Sequence, residues 1–166
     1  MPTLHQGDEN STEDDDLTRE EQQEKAQQFV NGGYVECPTK HEQNGNERVK
    51  NKKAAHEIAE ALGKKYRIQT EGTDLLDLDT EEDVEIKVIE TNNLKNGMQN
   101  GLKAASRQNA KQIILYLTQE YSQHEIYHAF KSSLQGTRAQ KIHTMIMRHS
   151  DGTIKVYNLN ELRNSI

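Results

Sequence analysis

The sequence predicts an α/β protein, a mixed central β-sheet with helices packed on it. Three observations carry this. Apolar residues recur at helical spacing in Ala55, Ile58, Ala59 and Leu62, and again in Leu94, Met98, Leu102 and Ala105. Val84, Ile86 and Val88 alternate with Glu85 and Lys87, the period of a half-buried strand. Ile113 to Leu117 is an uninterrupted apolar run, as expected of a central strand covered on both faces.

The elements follow in order. Residues 1–26 hold nine acids and two bases, a net charge of -7 against -6 for the whole chain, which leaves +1 for the rest. This segment has almost no apolar side chains to offset its ordering entropy and is expected to be disordered, with a short solvated helix conceivable over 16–29. Residues 31–46 carry Gly32, Gly33, Pro38 and Gly45 and read as loop. The chain thus divides into an acidic tail and loop, 1–46, and a folded domain, 47–166. In that domain a first helix ends at Gly63, and Tyr66–Gln69 is a short strand stopped by Gly72. Leu75, Leu76 and Leu78 make a second strand, the acids of 79–82 a turn, and residues 84–88 a third strand. Asn92 or Asn93 caps a helix running to about Asn109, and the buried strand 113–117 follows. A helix over 123–133 leads to strands at 142–148 and 153–157, which flank Asp151-Gly152, a hairpin signal. Residues 160–163 close the chain as a helical turn. The order is α-β-β-β-α-β, then helix and hairpin.

Composition excludes several classes. A chain of 166 residues with 32% apolar and 29% charged residues supports one domain of modest core plus a tail. No stretch approaches the ~18 apolar residues that span a bilayer. Residues 1–10 lack the basic and apolar regions of a secretory signal. The single cysteine, Cys37, rules out an internal disulfide and suits a reducing compartment. The expectation is a soluble, cytoplasmic protein with no membrane partner.

Chemistry concentrates in the middle strands. Glu85 and Lys87 are two apart on one strand and point to the same face, which cannot be ordinary apolar core. Asp74 begins the preceding strand. If the two strands pair through the acidic turn, Asp74 and Glu85 converge, although the sequence does not fix the register. Two such carboxylates make an oxygen site for Mg²⁺ or Mn²⁺, and Lys87 is placed to orient a water or stabilise developing negative charge. A bare Glu-x-Lys is usually a solvated charge pattern; its place on the third strand, opposite an acid at the start of the second, is what singles it out. Glu57, beside the apolar stripe of the first helix, is a further candidate ligand, and Glu71 a weaker one. From Thr91 to Gln119 there is no acid but four bases, Lys95, Lys103, Arg107 and Lys111. Lys95, Gln99 and Lys103 share one helix face, suited to phosphate contacts. His124 with His128, and Cys37 with His41, have metal-like spacing but lack further ligands.

With these residues in view, the chain resembles a known family. Asp74-Leu75-Leu76, then Val84-Glu85-Ile86-Lys87, then Asn93-Leu94-Lys95 through Lys103-Ala104, Gln108 and Ile113-Ile114-Leu115 resemble the PD-(D/E)xK nuclease superfamily. Within it, the chain is most similar to the C-terminal tRNA-nuclease domain of contact-dependent growth-inhibition (CdiA) toxins, over about Ala54 to Tyr157. The resemblance implies a restriction-endonuclease-like sheet and a Mg²⁺- or Mn²⁺-dependent endonuclease acting on RNA in the manner of a tRNA nuclease. Asp74 and Glu85 would bind metal, Lys87 would be catalytic, Glu57 a supporting acid and Gln108 a supporting polar residue. Lys95, Lys103 and Arg107 would contact nucleic acid, and a cognate inhibitor protein would be a further partner. Thr73 stands where the motif has proline, and the chain is expected to carry no delivery module. A DNA nuclease of a repair or mobile-element system, and an inactive nuclease-like module that binds nucleic acid or protein, are the alternatives.

Overall fold

The computed structural model describes Thr18 and residues 32–37, 49–136 and 139–166. In chain order the elements are β1 (Tyr34–Glu36), α1 (Val49–Leu62), β2 (Lys65–Ile68), β3 (Leu75–Asp77), β4 (Glu82–Ile89), α2 (Leu94–Arg107), β5 (Gln112–Leu117), α3 (Gln123–Ser133), β6 (Thr144–Arg148), β7 (Ile154–Asn158) and α4 (Leu159–Ser165). The seven described strands form one sheet in sequence order. Pairing is parallel for β1–β2, β4–β5 and β5–β6, and antiparallel for β2–β3, β3–β4 and β6–β7. This is the mixed α/β sheet expected, with crossover helices on each parallel step.

The sheet separates two apolar layers. On one face α1 buries Ala55, Ile58 and Ala59 against Tyr66, Val84, Ile86 and Ile114. On the other, α2 and α3 bury Met98, Leu102 and Phe130 against Ile113, Leu115, Met145 and Met147. All six residues of β5 are buried, so both of its faces are covered. α2 begins at Asn93, whose side chain accepts the Asn96 N–H at 3.1 Å. It ends at Arg107 with Gln108 as C-cap, and just beyond, Asn109 takes a positive φ of 60° and the Ala110 N–H bonds the Ala105 carbonyl (2.9 Å).

Two features depart from expectation. Tyr34–Glu36 is an edge strand, not loop, and Val35 and Cys37 are buried under α1. The folded body therefore extends upstream of residue 47. Three residues between Gly32-Gly33 and Cys37-Pro38 are too few to show a periodicity. The expected disorder of residues 1–26 lies outside the described residues, as does most of the expected loop.

The second departure is Asp77, fully buried at the end of β3. Its carboxylate accepts from Lys64 (2.7 Å), Gln112 (3.1 Å) and the Asp79 and Thr80 N–H groups (3.0 and 3.3 Å). Burial opposes its ionisation, but these donors outweigh that and hold it below the usual carboxylate range. Asp77 thereby anchors the acidic turn, in which Glu81 takes φ 62°. The anchored turn fixes the register Leu75↔Val84 and Asp77↔Glu82 that the sequence left open.

Candidate active site

That register decides where the polar residues go. Asp74 immediately precedes Leu75, so it falls beside Glu85, the residue after Val84. Asp74, Glu85 and Lys87 line one cleft of about 410 Å³ at this end of the β3–β4 ladder. All three are half-buried. The Asp74 carboxylate is fixed by two donors, the Ile86 backbone N–H at 2.8 Å and the Asn51 amide at 3.2 Å. One donor comes from the strand that carries Glu85 and Lys87, the other from the first turn of α1, so the carboxylate is held from both sides.

The loop before Asp74 is pinned by polar contacts where the resembling motif has a proline. Thr73 is buried, and its hydroxyl lies 3.1 Å from both the Leu75 carbonyl and Asp83 Oδ1. The Gln69 amide donates to Thr73 Oγ1 at 2.7 Å and lies 3.1 Å from Asp83 Oδ1. The Gln69 N–H bonds the Asp74 carbonyl at 3.0 Å. Gly72, at φ 77°, supplies the left-handed turn in this loop.

Lys87 is placed by packing. Its aliphatic stem lies directly under Gly101 of α2, where a Cβ would stand 3.0 Å from Lys87 Cγ and 3.1 Å from Lys87 Cβ. A glycine there lets the helix approach the strand closely enough to clamp the stem of this cleft-lining lysine.

The other candidates are distributed differently. Gln108, at the C-cap of α2, lines the cleft, as does the exposed Glu71. Lys103 lines a separate groove between α2 and α3, and Lys95 and Arg107 are exposed at the two ends of α2. Glu57 does not reach the cleft, which corrects the expectation that it would join the carboxylates. It lies on the α1 face of the sheet, where its carboxylate pairs with Arg148 Nε (2.5 Å) and accepts from the Tyr116 hydroxyl (2.5 Å). The guanidinium also stacks on the Tyr116 ring at 4.2 Å, and burial together with the Glu57 bond raises the phenol to about 12. Asn51 and the buried Lys52 line the cleft instead, one turn nearer the start of α1. Neither had a signal in sequence, because they precede the apolar stripe. His124 and His128 are exposed with rings 4.3 Å apart, and Cys37 Sγ lies 3.9 Å from His56.

The donor set of the cleft suits a hard divalent cation. Asp74 and Glu85 offer carboxylate oxygens only, and the two hydrogen bonds to Asp74 leave lone pairs on both of its oxygens. Among the described residues no group of three or more His, Cys, Asp or Glu is close enough to hold a metal. A cation here would therefore take two protein carboxylates and complete its shell with backbone, water or substrate oxygens, as Mg²⁺ does.

No protein-family model matches the chain, and no curated protein matches it. Its fold has a solved counterpart. A chain of the CdiA-CT/CdiI toxin and immunity complex from Burkholderia pseudomallei superposes with a TM-score of 0.51 over 66% of this chain and 83% of that one. At 15% identity the likeness is one of fold. No helix among the described residues is long and apolar enough to cross a membrane.

Proposed function

We propose that this chain is a metal-dependent endonuclease of the PD-(D/E)xK type that hydrolyses RNA phosphodiesters, related in architecture to CdiA toxin domains. The single observation that carries the reading is the clamped Asp74 carboxylate facing Glu85 and Lys87 in one cleft on a mixed α/β sheet. An accidental surface cluster of charges has no reason to be held by a neighbouring strand's backbone, an α1 amide and a helix glycine at once. The fold shared with a chain of a toxin and immunity complex supports the same reading, and with it a cognate inhibitor protein as partner.

Asp74 and Glu85 would hold Mg²⁺ or Mn²⁺, which supplies charge neutralisation at a phosphate oxygen and a lowered water pKa. The chain's own groups do the rest. The Asn51 and Ile86 donors keep the Asp74 carboxylate oriented before substrate arrives, so no reorganisation is needed during the reaction. Lys87 places one positive charge where negative charge develops, on a stem whose rotamers are limited by α2. Lys52 and Gln108, which also line the cleft, would position the phosphate. Incubation of the purified chain with tRNA, single-stranded DNA and duplex DNA, with and without Mg²⁺, tests this. Mg²⁺-dependent RNA cleavage is expected, and no cleavage of any of the three would overturn it.

A further inference from the structure

The cleft does not end at Lys87. On the far side of that side chain lies a second cavity of about 440 Å³, between the end of β4 and α2, lined by Lys87, Thr91, Asn96, Gly97 and Asn100. On the far side of Asn100 lies a third, of about 420 Å³, between α2 and α3, lined by Asn100, Gln99, Lys103, Ser132 and Ser133. Each neighbouring pair is divided by a side chain that lines both: Lys87 between the first and second, Asn100 between the second and third. The three adjoin through these shared residues and are taken together as one candidate track from the cleft to the groove between α2 and α3.

The chemistry changes along the track. The cleft holds three carboxylates, Glu71, Asp74 and Glu85. The second cavity holds Glu90 as its sole acid and two asparagine amides, and the third has amides, hydroxyls and Lys103 with no acid. The Ser133 hydroxyl beside it is buried and has no hydrogen-bond partner among the described residues. Amides and hydroxyls both donate and accept, so they match base edges and ribose 2′-hydroxyls, and a lysine matches a phosphate. α2 contributes to both outer cavities without an acid of its own.

We propose that this track binds a single strand of RNA running out of the cleft, with Asn96 and Asn100 contacting bases or ribose and Lys103 a phosphate. The inference rests on the nuclease reading and adds the path of the substrate. Asn96 to Lys103 spans about 10 Å of helix at 1.5 Å per residue. A strand rising about 3.4 Å per nucleotide covers that with about three nucleotides across the two outer cavities.

Fluorescence anisotropy tests the path, using fluorescein-labelled oligoribonucleotides that lengthen one nucleotide at a time, with Ca²⁺ in place of Mg²⁺. Wild-type affinity is expected to rise over about three added nucleotides and then level off. Asn100→Asp places a carboxylate of the same size at an exposed helix position, and Asn100→Leu removes the amide without adding charge. Both are expected to flatten the length dependence, with about tenfold weaker binding of the longest oligomer for Asn100→Asp. Circular dichroism confirms that each variant is folded. Wild-type length dependence in both variants overturns the track while leaving the nuclease reading in place. A wild-type protein that binds no oligomer and cleaves no RNA overturns both. A length dependence equal for oligodeoxyribonucleotides overturns the assignment to RNA.

Discussion

Replacing Gly101 with alanine tests whether packing against α2 sets the position of Lys87. The new Cβ would stand 3.0 Å from Lys87 Cγ, 3.1 Å from Lys87 Cβ and 3.3 Å from Ile113 Cδ1. Alanine favours the helix over glycine by about 1 kcal/mol. Overpacking of a filled site costs about 1–3 kcal/mol. The net effect on stability is a loss of at most about 2 kcal/mol, or roughly 8 °C in Tm for a chain of this size. Activity should suffer more. The contact is made at the root of the lysine, so a shift of a few tenths of an ångström there is amplified at the ammonium. A displacement of about 1 Å at a reacting group costs on the order of 100-fold in rate. Thermal denaturation and single-turnover cleavage of tRNA in Mg²⁺ separate the two effects. Gly97→Ala, measured at saturating tRNA because Gly97 lines the proposed track, is the control for the chemical step, since its Cβ would meet Ile89 Cδ1, the far end of an apolar side chain, at 2.9 Å. It should change stability comparably and rate much less. A Gly101→Ala protein that is more stable than wild type and cleaves equally fast would refute the clamp.

Three further outcomes are expected. Asp74→Ala, Glu85→Ala and Lys87→Ala should each lower the cleavage rate at least ~100-fold without unfolding the domain, and EDTA should abolish cleavage reversibly; wild-type rates in the variants would remove the site assignment. Glu57→Gln should lower stability by about 1–2 kcal/mol, by weakening the Arg148–Tyr116–Glu57 cluster, while the rate per folded molecule stays within about twofold; a rate loss matching that of Asp74→Ala would return Glu57 to the site. Asp77 and Glu82 are both held below the ordinary carboxylate range, in each case because hydrogen-bond donors outweigh burial. Such groups contribute stability that is present above about pH 4 and lost as pH falls through their lowered values. Asp77→Asn should therefore cost about 3 kcal/mol at neutral pH and flatten the acid limb of a stability–pH profile; an unchanged acid limb would show that Asp77 does not anchor the turn.

What the sequence disclosed follows the range over which each cause acts. β4 and α2 were legible because their periods are written in consecutive residues: Val84 and Ile86 against Glu85 and Lys87, and Met98, Leu102 and Ala105 along one stripe. β5 was legible because burial on both faces leaves no polar alternation to interpret. β1 was not, since three residues at a sheet edge owe their strand to pairing with β2 and cover from α1, both distant in sequence. The candidate site divides along the same line. Glu85 and Lys87 share a face by strand geometry alone, but bringing Asp74 to them needs the register, and the register depends on Asp77 reaching Lys64 and Gln112. Asp77, an acid inside the expected second strand that carried no sign of a role, is thus the residue that assembles the cleft. Glu57 was misassigned for the converse reason. Its spacing on α1 suited the cleft, yet Arg148 and Tyr116, both far along the chain, offer it a guanidinium and a hydroxyl on the other face of the sheet. A carboxylate that is half-buried goes to the strongest available donors, and periodicity cannot say where in the fold those donors lie. Asn51 takes the place facing Asp74 because an amide there can donate to a carboxylate, whereas a glutamate would have repelled it.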